Sequence, residues 1–502
     1  MGGVVKRTLL GAVAFVALAA SGSAQAADLP VKAPRVAAAT IYNWTGFYIG
    51  ANGGYSVGHN PSALPSVFTD IGEVNSFPKW THAPGGWLGG AQAGFNWQTG
   101  NVVFGLEADI QASGEKASAC LTCDPTIGTF VTVDQRLPWF ATVRGRLGYA
   151  YGPVLAYVTG GWAYARVETD VTIIPFSVLL PGIPTTRGST HENKSGLAVG
   201  GGIEAALAGN WTAKIEYLYL GLGNTAVPFF VSGTALTRNS YSGDIRDHIF
   251  RVGVNYRLGS APFGAGTSLP MTAAAAPFAS WTGFYIGANG GYGVGRNPTT
   301  LLTTFSGAGS VQDTWHLSPA GGLGGGQVGY SWQASQWLLG LEADIQASAL
   351  KDNVCVQICR FTGGGTNANF IEQKISWVGT IRGRVGYVAG PALLYATGGW
   401  AYGEVELSST EFVGTFTPIS FGARQRKSGW TAGGGIEGMI GSNWSAKAEY
   451  LYIDLGHHSA GFTNTFPFAI VDAHAFDSDI RLHVFRAGLN YHFAAAPVVT
   501  KY

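Results

Sequence analysis

The chain contains one long sequence unit twice, and this duplication limits what it can fold into. A twelve-residue motif that begins at Trp44 returns unchanged at Trp281. The segment Leu106–Ser113 returns as Leu341–Ser348, in the same order and about 235 residues later. Each copy runs over roughly 215 residues, which is the size of a domain rather than of a solenoid repeat. We therefore expect a domain that is built twice in one chain.

The N-terminus has the layout of a secretory signal. A basic pair that begins at Lys6 precedes an apolar stretch over 9–20, and an Ala-x-Ala cleavage site ends at Ala26. The apolar stretch is too short to cross a bilayer as a helix. We predict a cleaved signal peptide over 1–26, followed by a periplasmic lead over 27–43.

The composition of the chain is unusual for a soluble globular protein. Charged residues make up 12% of the chain, against about 25% in typical proteins. Glycine occurs 75 times, and aromatic residues reach 13%. After the signal there is no run of about 18 apolar residues that would predict a transmembrane helix. A net charge of only +1 argues against a nucleic-acid partner. This combination suits a transmembrane β-barrel, whose hydrophobicity is hidden in alternation.

Apolar and polar residues alternate along many segments of both copies. In one of the clearest, Ala213 and Ile215 lie on one face while Lys214 and Glu216 lie on the other. A period of two predicts a strand with two unlike faces, and we expect the apolar face to meet lipid. We predict eight strands per copy, which in the first copy lie near 44–56, 86–97, 102–113, 138–150, 154–168, 196–208, 211–221 and 246–258.

The predicted strands are joined alternately by short turns and by long segments. Three joints are short and rich in Gly, Asn and Pro, which favour turns. The other four are long, and we predict extracellular loops over 57–85, 114–137, 169–195 and 222–245. Short turns on one side and long loops on the other are typical of outer-membrane barrels.

The polar faces of the predicted strands carry a balanced set of charges. Four acids and four bases in each copy keep their sign at corresponding positions, although the loops have diverged. An eight-stranded barrel is just wide enough for side chains to fill it, and buried charges are tolerated when they are paired. We predict that these residues brace and plug each barrel. They are Glu107, Asp109, Arg144, Arg146, Glu204, Lys214, Glu216 and Arg251, and then Glu342, Asp344, Arg382, Arg384, Glu437, Lys447, Glu449 and Arg486.

The segment over 259–280 bears on whether the copies form two barrels or one. It is rich in Ala, Pro and Gly, and about 22 residues can span roughly 70 Å when extended. We predict an all-β fold of two tandem eight-stranded antiparallel transmembrane barrels, over 44–258 and 281–493, joined by a periplasmic linker and followed by a tail over 494–502. The alternative is one sixteen-stranded barrel, in which the same charges would line an aqueous pore.

Two repeated motifs carry a family resemblance. The motif that starts at Trp44 and Trp281, followed much later by Arg-x-Gly-x-Asn-Tyr, resembles the small porin-like outer-membrane proteins of alphaproteobacteria. Those proteins are similar in fold to the OmpA and OmpX transmembrane domains, and they usually have one such unit. The resemblance implies barrels in the outer membrane of a Gram-negative bacterium, with roles in envelope integrity, surface exposure and sometimes permeability. It implies no catalytic residues, cofactor or metal.

The last strand of each copy also resembles the sorting signal that the outer-membrane assembly machinery recognises. In this signal a Gly is followed by an aromatic residue and then by an apolar one. The resemblance implies the assembly machinery as a partner, and the membrane location adds outer-membrane lipids and lipopolysaccharide. Phe493 departs from the pattern because it is not terminal. The matching residues are Gly253, Tyr256 and Leu258 in the first copy, and Gly488, Tyr491 and Phe493 in the second.

Four cysteines lie at matching places in the two copies. Cys120 and Cys123 are in a predicted loop of the first copy, and Cys355 and Cys359 are in the second copy. Such pairs can be redox motifs or half of a zinc site, but no His lies close in sequence. In an oxidising compartment we expect a local disulfide in each loop.

We expect a non-enzymatic outer-membrane protein that supports the envelope and displays loops at the cell surface. The alternative function is a porin-like diffusion channel for small solutes. The filling of the barrel interior separates the two, because a plugged interior excludes a channel. A soluble lipocalin-like binder would need the apolar face inside, which the inward charges contradict.

Overall fold

The computed structural model describes ten stretches of the chain: 42–69, 72–124, 129–174, 185–231, 237–258, 280–305, 309–362, 365–412, 418–466 and 470–493. The chain divides into Met1–Ala39 and Thr40–Tyr502, and every described residue belongs to the second unit. The predicted signal peptide over 1–26, nearly all of the lead, the linker and the tail lie outside the described residues. Those domain boundaries therefore stay predictions.

The described part of the chain forms twenty antiparallel β-strands, ten from each copy. It contains no helix long and apolar enough to span a bilayer. The first copy contributes β1 (Gly46–Gly58), β2 (Asn60–Thr69), β3 (Gly72–His82), β4 (Gly85–Thr99), β5 (Val102–Asp124), β6 (Thr129–Tyr151), β7 (Val154–Ile174), β8 (Thr186–Ala206), β9 (Trp211–Val231) and β10 (Thr237–Arg257). The second copy contributes β11 (Gly283–Gly295), β12 (Asn297–Phe305), β13 (Gly309–Leu317), β14 (Ala320–Ala334), β15 (Trp337–Thr362), β16 (Gly365–Ala389), β17 (Ala392–Phe412), β18 (Ile419–Met439), β19 (Trp444–Phe466) and β20 (Ile470–His492).

Each copy closes on itself as a barrel. β1 pairs with β4 on one side and with β10 on the other, so that Ala51 lies opposite both Ala91 and Val254. β11 pairs in the same way with β14 and β20. Among the described strands, β1 with β4–β10 and β11 with β14–β20 form the two rings. This is the pairing predicted for two eight-stranded barrels, whereas one sixteen-stranded barrel would need β10 to pair with β11.

The long predicted loops are largely strand, and that part of the prediction was wrong. β5 and β6 continue their ladder well past the predicted loop boundary, with Ala119 opposite Val133. The predicted first loop contains the hairpin β2–β3, which pairs with β10 where Ala63 lies opposite Ser242. Beyond the bilayer an outward side chain meets water, so both faces can be polar. The alternation that identifies a strand then fades although the backbone ladder continues.

Two tryptophans on the outer face of β4 mark the membrane-spanning zone of the first barrel. Trp97 and Trp87 point outward, with 63% and 77% of their surfaces exposed. The ten residue steps from Trp87 to Trp97 correspond to about 33 Å along the strand, and to about 25 Å of depth at a tilt of about 40°. Aromatic residues typically border the apolar band of such barrels.

Part of the outward face of the last strands does not meet lipid, contrary to prediction. Phe250 and Ile215 point out of the first barrel but are only 3% and 2% exposed, whereas Val252 on the same strand as Phe250 is 61% exposed. Alternation cannot distinguish lipid from a second barrel, because both select apolar side chains. The buried outward residues form a mixed cluster of both copies: Val154, Ile203, Ala205, Ala213 and Ile215 with Ala392, Ile436 and Ala448.

The contact between the barrels continues above the membrane-spanning zone. β13 of the second copy pairs with the extension of β5, where Thr314 lies opposite Cys120. The Thr81 hydroxyl donates a hydrogen bond of 2.8 Å to Asp352 Oδ1. Arg296 Nε donates one of 3.0 Å to the carbonyl oxygen of Ala83. The two barrels are therefore joined by hydrogen bonds as well as by apolar packing.

Candidate functional site: the ion-pair network inside each barrel

Arg144 lies at the centre of the first barrel interior. Its side chain projects inward from β6, and its Nη2 atom lies 2.6 Å from Glu107 Oε1 and 2.7 Å from Asp109 Oδ2. Its Nη1 atom lies 3.1 Å from Glu216 Oε1. All four side chains are completely buried. One guanidinium thus joins β5, β6 and β9 across the barrel.

Two more bases complete this central group. Arg251 Nε donates a hydrogen bond of 2.6 Å to Glu216 Oε2, and its Nη2 atom lies 3.1 Å from Asp109 Oδ2. The Lys214 ammonium donates to both oxygens of Glu107, at 2.9 Å each. Every carboxylate of the group therefore contacts at least one base. Through Arg251 the group also includes β10, the strand that closes the barrel.

Arg146 forms a second branch of the network nearer the periplasmic end. Its Nη2 atom lies 2.7 Å from Glu204 Oε2, and Nη1 donates to the Tyr48 hydroxyl oxygen at 2.9 Å. The guanidinium also stacks over the Tyr157 ring, 3.9 Å from its centroid. An arginine uses such planar contacts better than a lysine does.

The second barrel repeats the network with small changes in distance. Arg382 contacts Glu342, and lies 3.0 Å from Asp344 and 2.9 Å from Glu449. Within the described residues, the structure brings all sixteen predicted interior charges into two such groups. The remaining contacts are Arg384 with Glu437 at 2.6 Å, Lys447 with Glu342 at 3.0 Å, and Arg486 with Glu449 at 2.6 Å and Asp344 at 2.9 Å.

Neutral side chains that the sequence analysis did not single out complete the network. The Tyr157 hydroxyl donates to Glu216 at 2.9 Å, and the Thr142 hydroxyl donates to Asp109 at 2.7 Å. Their inward position in the alternation, repeated in both copies, was the available signal. The equivalent pairs in the two barrels are Tyr48 and Tyr285, Asn52 and Asn289, Gln92 and Gln327, Thr142 and Thr380, Tyr157 and Tyr395, Thr212 and Ser445, and Asn255 and Asn490.

The electrostatics of the network favour a bracing role. Removing a charged side chain from water costs several kcal/mol per ion, and a single ion pair seldom recovers this. Here each barrel balances four acids against four bases, and hydroxyls and amides satisfy further lone pairs. Because each carboxylate is paired with bases on other strands, the arrangement links strands across the barrel.

An apolar layer lies above the network in each barrel, on the extracellular side. In the first barrel Phe140 is wholly buried in this layer, together with Leu218. In the second barrel Val378 stands at the place of Phe140. A cavity of about 10 Å³ lies beside it, lined in part by Asp344 and Thr380. That volume holds about one water molecule.

A family model for the outer membrane protein beta-barrel domain matches residues 13–257 and again residues 263–493. The chain belongs to this family and contains its domain twice. The 31 kDa outer-membrane immunogenic protein of Brucella melitensis biotype 1 is 36% identical over 226 residues, which is 44% of this chain and 88% of that protein. The 22 kDa outer membrane protein of Rhizobium leguminosarum bv. viciae is 32% identical over 180 residues, 36% of this chain and 66% of that protein. These matches place this outer-membrane β-barrel protein in the outer membrane of a Gram-negative bacterium.

Solved structures give a weaker likeness. Neisserial surface protein A matches over 42% of this chain and 97% of its own, at 14% identity and a TM-score of 0.21. The toluene transporter TodX of Pseudomonas putida matches over 90% and 91%, at 8% identity and a TM-score of 0.26. Scores this low support no inference about the function of this barrel protein.

The predicted loop disulfides can be followed only in part. Cys120 and Cys355 of this barrel protein are each disulfide-bonded. The side chains of Cys123 and Cys359 lie outside the described residues, so the pairing within each loop stays a prediction. Among the side chains that are described, no group of three or more His, Cys, Asp and Glu could hold a metal ion.

The predicted assembly-signal residues lie on the strand that closes each barrel. Tyr256 and Leu258 point outward and are exposed at the end of the closing strand of the first barrel. Tyr491 and Phe493 are exposed at the equivalent end of the second barrel. Gly253 and Gly488 face the interior beside Asn52 and Asn289. The role of these residues in assembly stays a prediction.

Proposed function

We propose that this protein is a pair of sealed, non-enzymatic outer-membrane barrels that support the envelope and present strands outside the cell. The observation that carries this proposal is the completely buried ion-pair network around Arg144 and around Arg382. A network that links strands across each barrel stiffens the wall, and it leaves the interior without a continuous aqueous path.

The dimensions of the barrels support sealing. An eight-stranded barrel has an interior just wide enough for side chains to fill. Here the charged layer fills the lower part, while Phe140 and its neighbours fill the upper part of the first barrel. In the second barrel the cavity of about 10 Å³ beside Val378 is too small for a solute.

The surface display rests on the long strand extensions. On β5, Ser113 pairs with Leu88 next to the outer tryptophan, and the strand continues for eleven more residues to Asp124. That length corresponds to about 36 Å along the strand. In this proposal outer-membrane lipids and lipopolysaccharide surround the outward aromatic residues, and the assembly machinery acts on the closing strands. The strand extensions are then the part of the protein that is exposed to molecules outside the cell.

Planar-bilayer recording tests the proposal. The full mature chain, refolded in detergent and shown to be folded by its heat-dependent gel mobility, should insert without producing water-filled current steps. Liposome swelling in small sugars should equal that of protein-free liposomes. Reproducible nanosiemens-scale currents from the folded protein would overturn the sealed-barrel proposal in favour of a diffusion channel.

One observation indicates where a diffusion channel would run if currents were found. Val378 in the second barrel replaces the larger Phe140 of the first, and a cavity lies beside Val378. Under the channel hypothesis Val378→Phe should reduce the current, whereas Val378→Ala should raise it. Under the sealed-barrel proposal neither variant conducts.

A further inference from the structure

The apolar layer of the first barrel contains a polar cluster that the second barrel lacks. Ser56, Glu115 and Asp247 are at most 2% exposed and point into the barrel. The corresponding positions of the second barrel, on β11, β15 and β20, hold Gly293, Leu350 and Leu482. We call the three side chains of the first barrel the oxygen cluster.

The register of the strands places the oxygen cluster at one height in the wall. Asp247 on β10 lies opposite Gly58 of β1, and Ser56 of β1 lies opposite Gly86 of β4. A Cβ atom on Gly86 would come within 2.5 Å of the Glu115 amide nitrogen on β5. Glu115 and Asp247 are also close enough for their charges to repel. The three side chains therefore converge across neighbouring strands.

The second barrel supports this convergence independently. Leu350 and Leu482 pack in one apolar cluster. The Leu350 Cδ2 atom lies 2.9 Å from the point where a Cβ atom on Gly293 would stand. Because the strands and registers correspond, the side chains at the same three positions of the first barrel point toward each other.

Within the described part of the chain the oxygens of the cluster lie next to one another, and no Arg or Lys side chain donates a hydrogen bond to them. The four carboxylate oxygens and the Ser56 Oγ atom are buried, and none of the five has a hydrogen-bond partner of acceptable geometry. The network carboxylates differ from these, since each of them meets an Arg or Lys. Two buried carboxylates without a base are costly, and the leucines of the second barrel show that the fold does not require them.

The nearest basic side chain from the second barrel does not neutralise the cluster. Arg296 Nε donates to the carbonyl oxygen of Ala83 at 3.0 Å, and its Nη2 atom donates to that of Lys116 at 3.3 Å. Arg296 lies over the same part of the wall, where its charge acts on Glu115. Among the described residues its side-chain hydrogen bonds go to backbone carbonyls, so Arg296 forms no ion pair with the oxygen cluster.

We propose that Ser56, Glu115 and Asp247 form a binding site for one calcium ion in the first barrel. The donors are all oxygen, which hard divalent cations prefer, and two carboxylates match the charge of such an ion. Calcium accepts six to eight oxygens in irregular geometry, with carboxylates bound through one or both oxygens. Magnesium demands a near-ideal octahedron at shorter distances, whereas the flexible coordination of calcium suits ligands fixed on three different strands.

The position of the site indicates what the bound ion would do. Ser56 pairs with Gly86, one residue beyond the outer tryptophan Trp87, so the site lies at the extracellular edge of the membrane-spanning zone. A calcium ion there would link β1 to β5 and β10, next to the point where the chain leaves the barrel for the hairpin β2–β3. This role is independent of whether either barrel conducts.

Calcium titration of the full chain tests the site. The protein is refolded in detergent without lipopolysaccharide, treated with EDTA, desalted and titrated with CaCl2 by calorimetry. We expect one calcium ion per chain and a rise of the thermal midpoint with calcium concentration, because a ligand that binds only the folded state stabilises it. The variant Ser56→Gly with Glu115→Leu and Asp247→Leu copies the second barrel, so it should fold and bind none.

A gain-of-binding variant and a surface control sharpen the result. Gly293→Ser with Leu350→Glu and Leu482→Asp, made in the chain that lacks the first site, should restore one calcium ion. Replacing the exposed acids Asp477 and Asp479 by Asn should leave the stoichiometry unchanged. If the unaltered protein binds no calcium, or if the copied-barrel variant binds it as well as the unaltered chain, the calcium site is refuted.

Discussion

Tyr55 of the first barrel stacks on His483 of the second, with ring centroids 4.8 Å apart and an interplanar angle of 4°. The same contact occurs with the copies exchanged, since Tyr292 of the second barrel stacks on His248 of the first at 5.1 Å and 13°. Reciprocal contacts of this kind define a twofold relationship. The tandem chain is therefore an internal dimer of its own repeated unit.

The histidines in these stacks are also held by their own barrels. The Tyr217 hydroxyl lies 2.7 Å from His248 Nδ1, and the Tyr450 hydroxyl lies 2.8 Å from His483 Nδ1. Each ring is thus positioned by a tyrosine of one barrel and covered by a tyrosine of the other. This contact gives both histidines a structural place between the barrels.

Removing both stacks should loosen the contact between the barrels while leaving each barrel folded. Aromatic pairs contribute about 0.5–1.5 kcal/mol each beyond area burial, so Tyr55→Ala with Tyr292→Ala should broaden the distance distribution between spin labels at Arg166 and Arg424. Pulsed electron paramagnetic resonance measures this distribution. Trp97→Ala, on the lipid-facing side, is the control. An unchanged distribution would show that the stacks do not hold the barrels together.

The central arginine of each network should matter far more than an exposed one. Arg144→Ala leaves three buried carboxylates short of a partner, and breaking such a group typically costs about 3–5 kcal/mol. Arg166→Ala removes a partly exposed pair with Glu168 and should cost less than about 1 kcal/mol. Urea unfolding in detergent micelles compares the two, and equal midpoints would show that the buried network is not structural. Arg382→Ala should reproduce the effect in the second barrel.

Phe140 should be the main apolar contributor to closing the first barrel. Phe140→Val leaves a cavity in a tightly packed layer, and large-to-small changes of this size cost about 2–3 kcal/mol. Val158→Ala, which shortens an outward and exposed side chain, should have little effect. The thermal midpoint from heat-dependent gel mobility serves as the measurement, and similar midpoints for the two variants would contradict the packing argument.

Gly54 permits a close approach between β1 and β10 that a larger residue would prevent. A Cβ atom there would overlap the carbonyl oxygen of Phe250, and at the equivalent Gly291 one would overlap that of Phe485. Either Gly→Ala variant should therefore lose about 1–3 kcal/mol through overpacking. Gly422 has open space around it, so Gly422→Ala should be neutral. Folding yield and urea midpoint distinguish these outcomes.

An exposed histidine on β19, outside the membrane-spanning zone, should titrate above its ordinary range. The hydrogen bond with Asp479, and then that with Asp477, raises the pKa of His457. Its contribution to stability is therefore present below the pKa of the unfolded chain and is lost as pH rises through the higher folded pKa. Nuclear magnetic resonance titration should show a midpoint above 6.5 that Asp479→Asn moves downward. A midpoint that does not respond to Asp479→Asn would refute this pairing.

Much of the barrel could be predicted from local patterns. Interior positions recur at every second residue, so the inward placement of Glu107 and Arg144 follows from alternation alone. The neutral side chains of the ion-pair network, such as Tyr157, were not predicted. A tyrosine on the polar face of a strand does not by itself indicate a hydrogen bond to Glu216. The strand ends above the membrane were also missed, since water on both sides removes the alternation.

The sequence by itself determined that the chain is a duplicated set of two-faced strands with eight balanced inward charges per copy. Alternation and duplication can be read directly from the sequence, without knowing which strands pair with each other. Only the tertiary structure decided which bases meet which acids, that Ile215 and Phe250 face a second barrel rather than lipid, and that Glu115 and Asp247 stand together where leucines stand in the other copy. Those facts depend on strands that are far apart in the chain. The residues next to an apolar or acidic side chain in the sequence do not show which side chain it will contact once the barrel has closed.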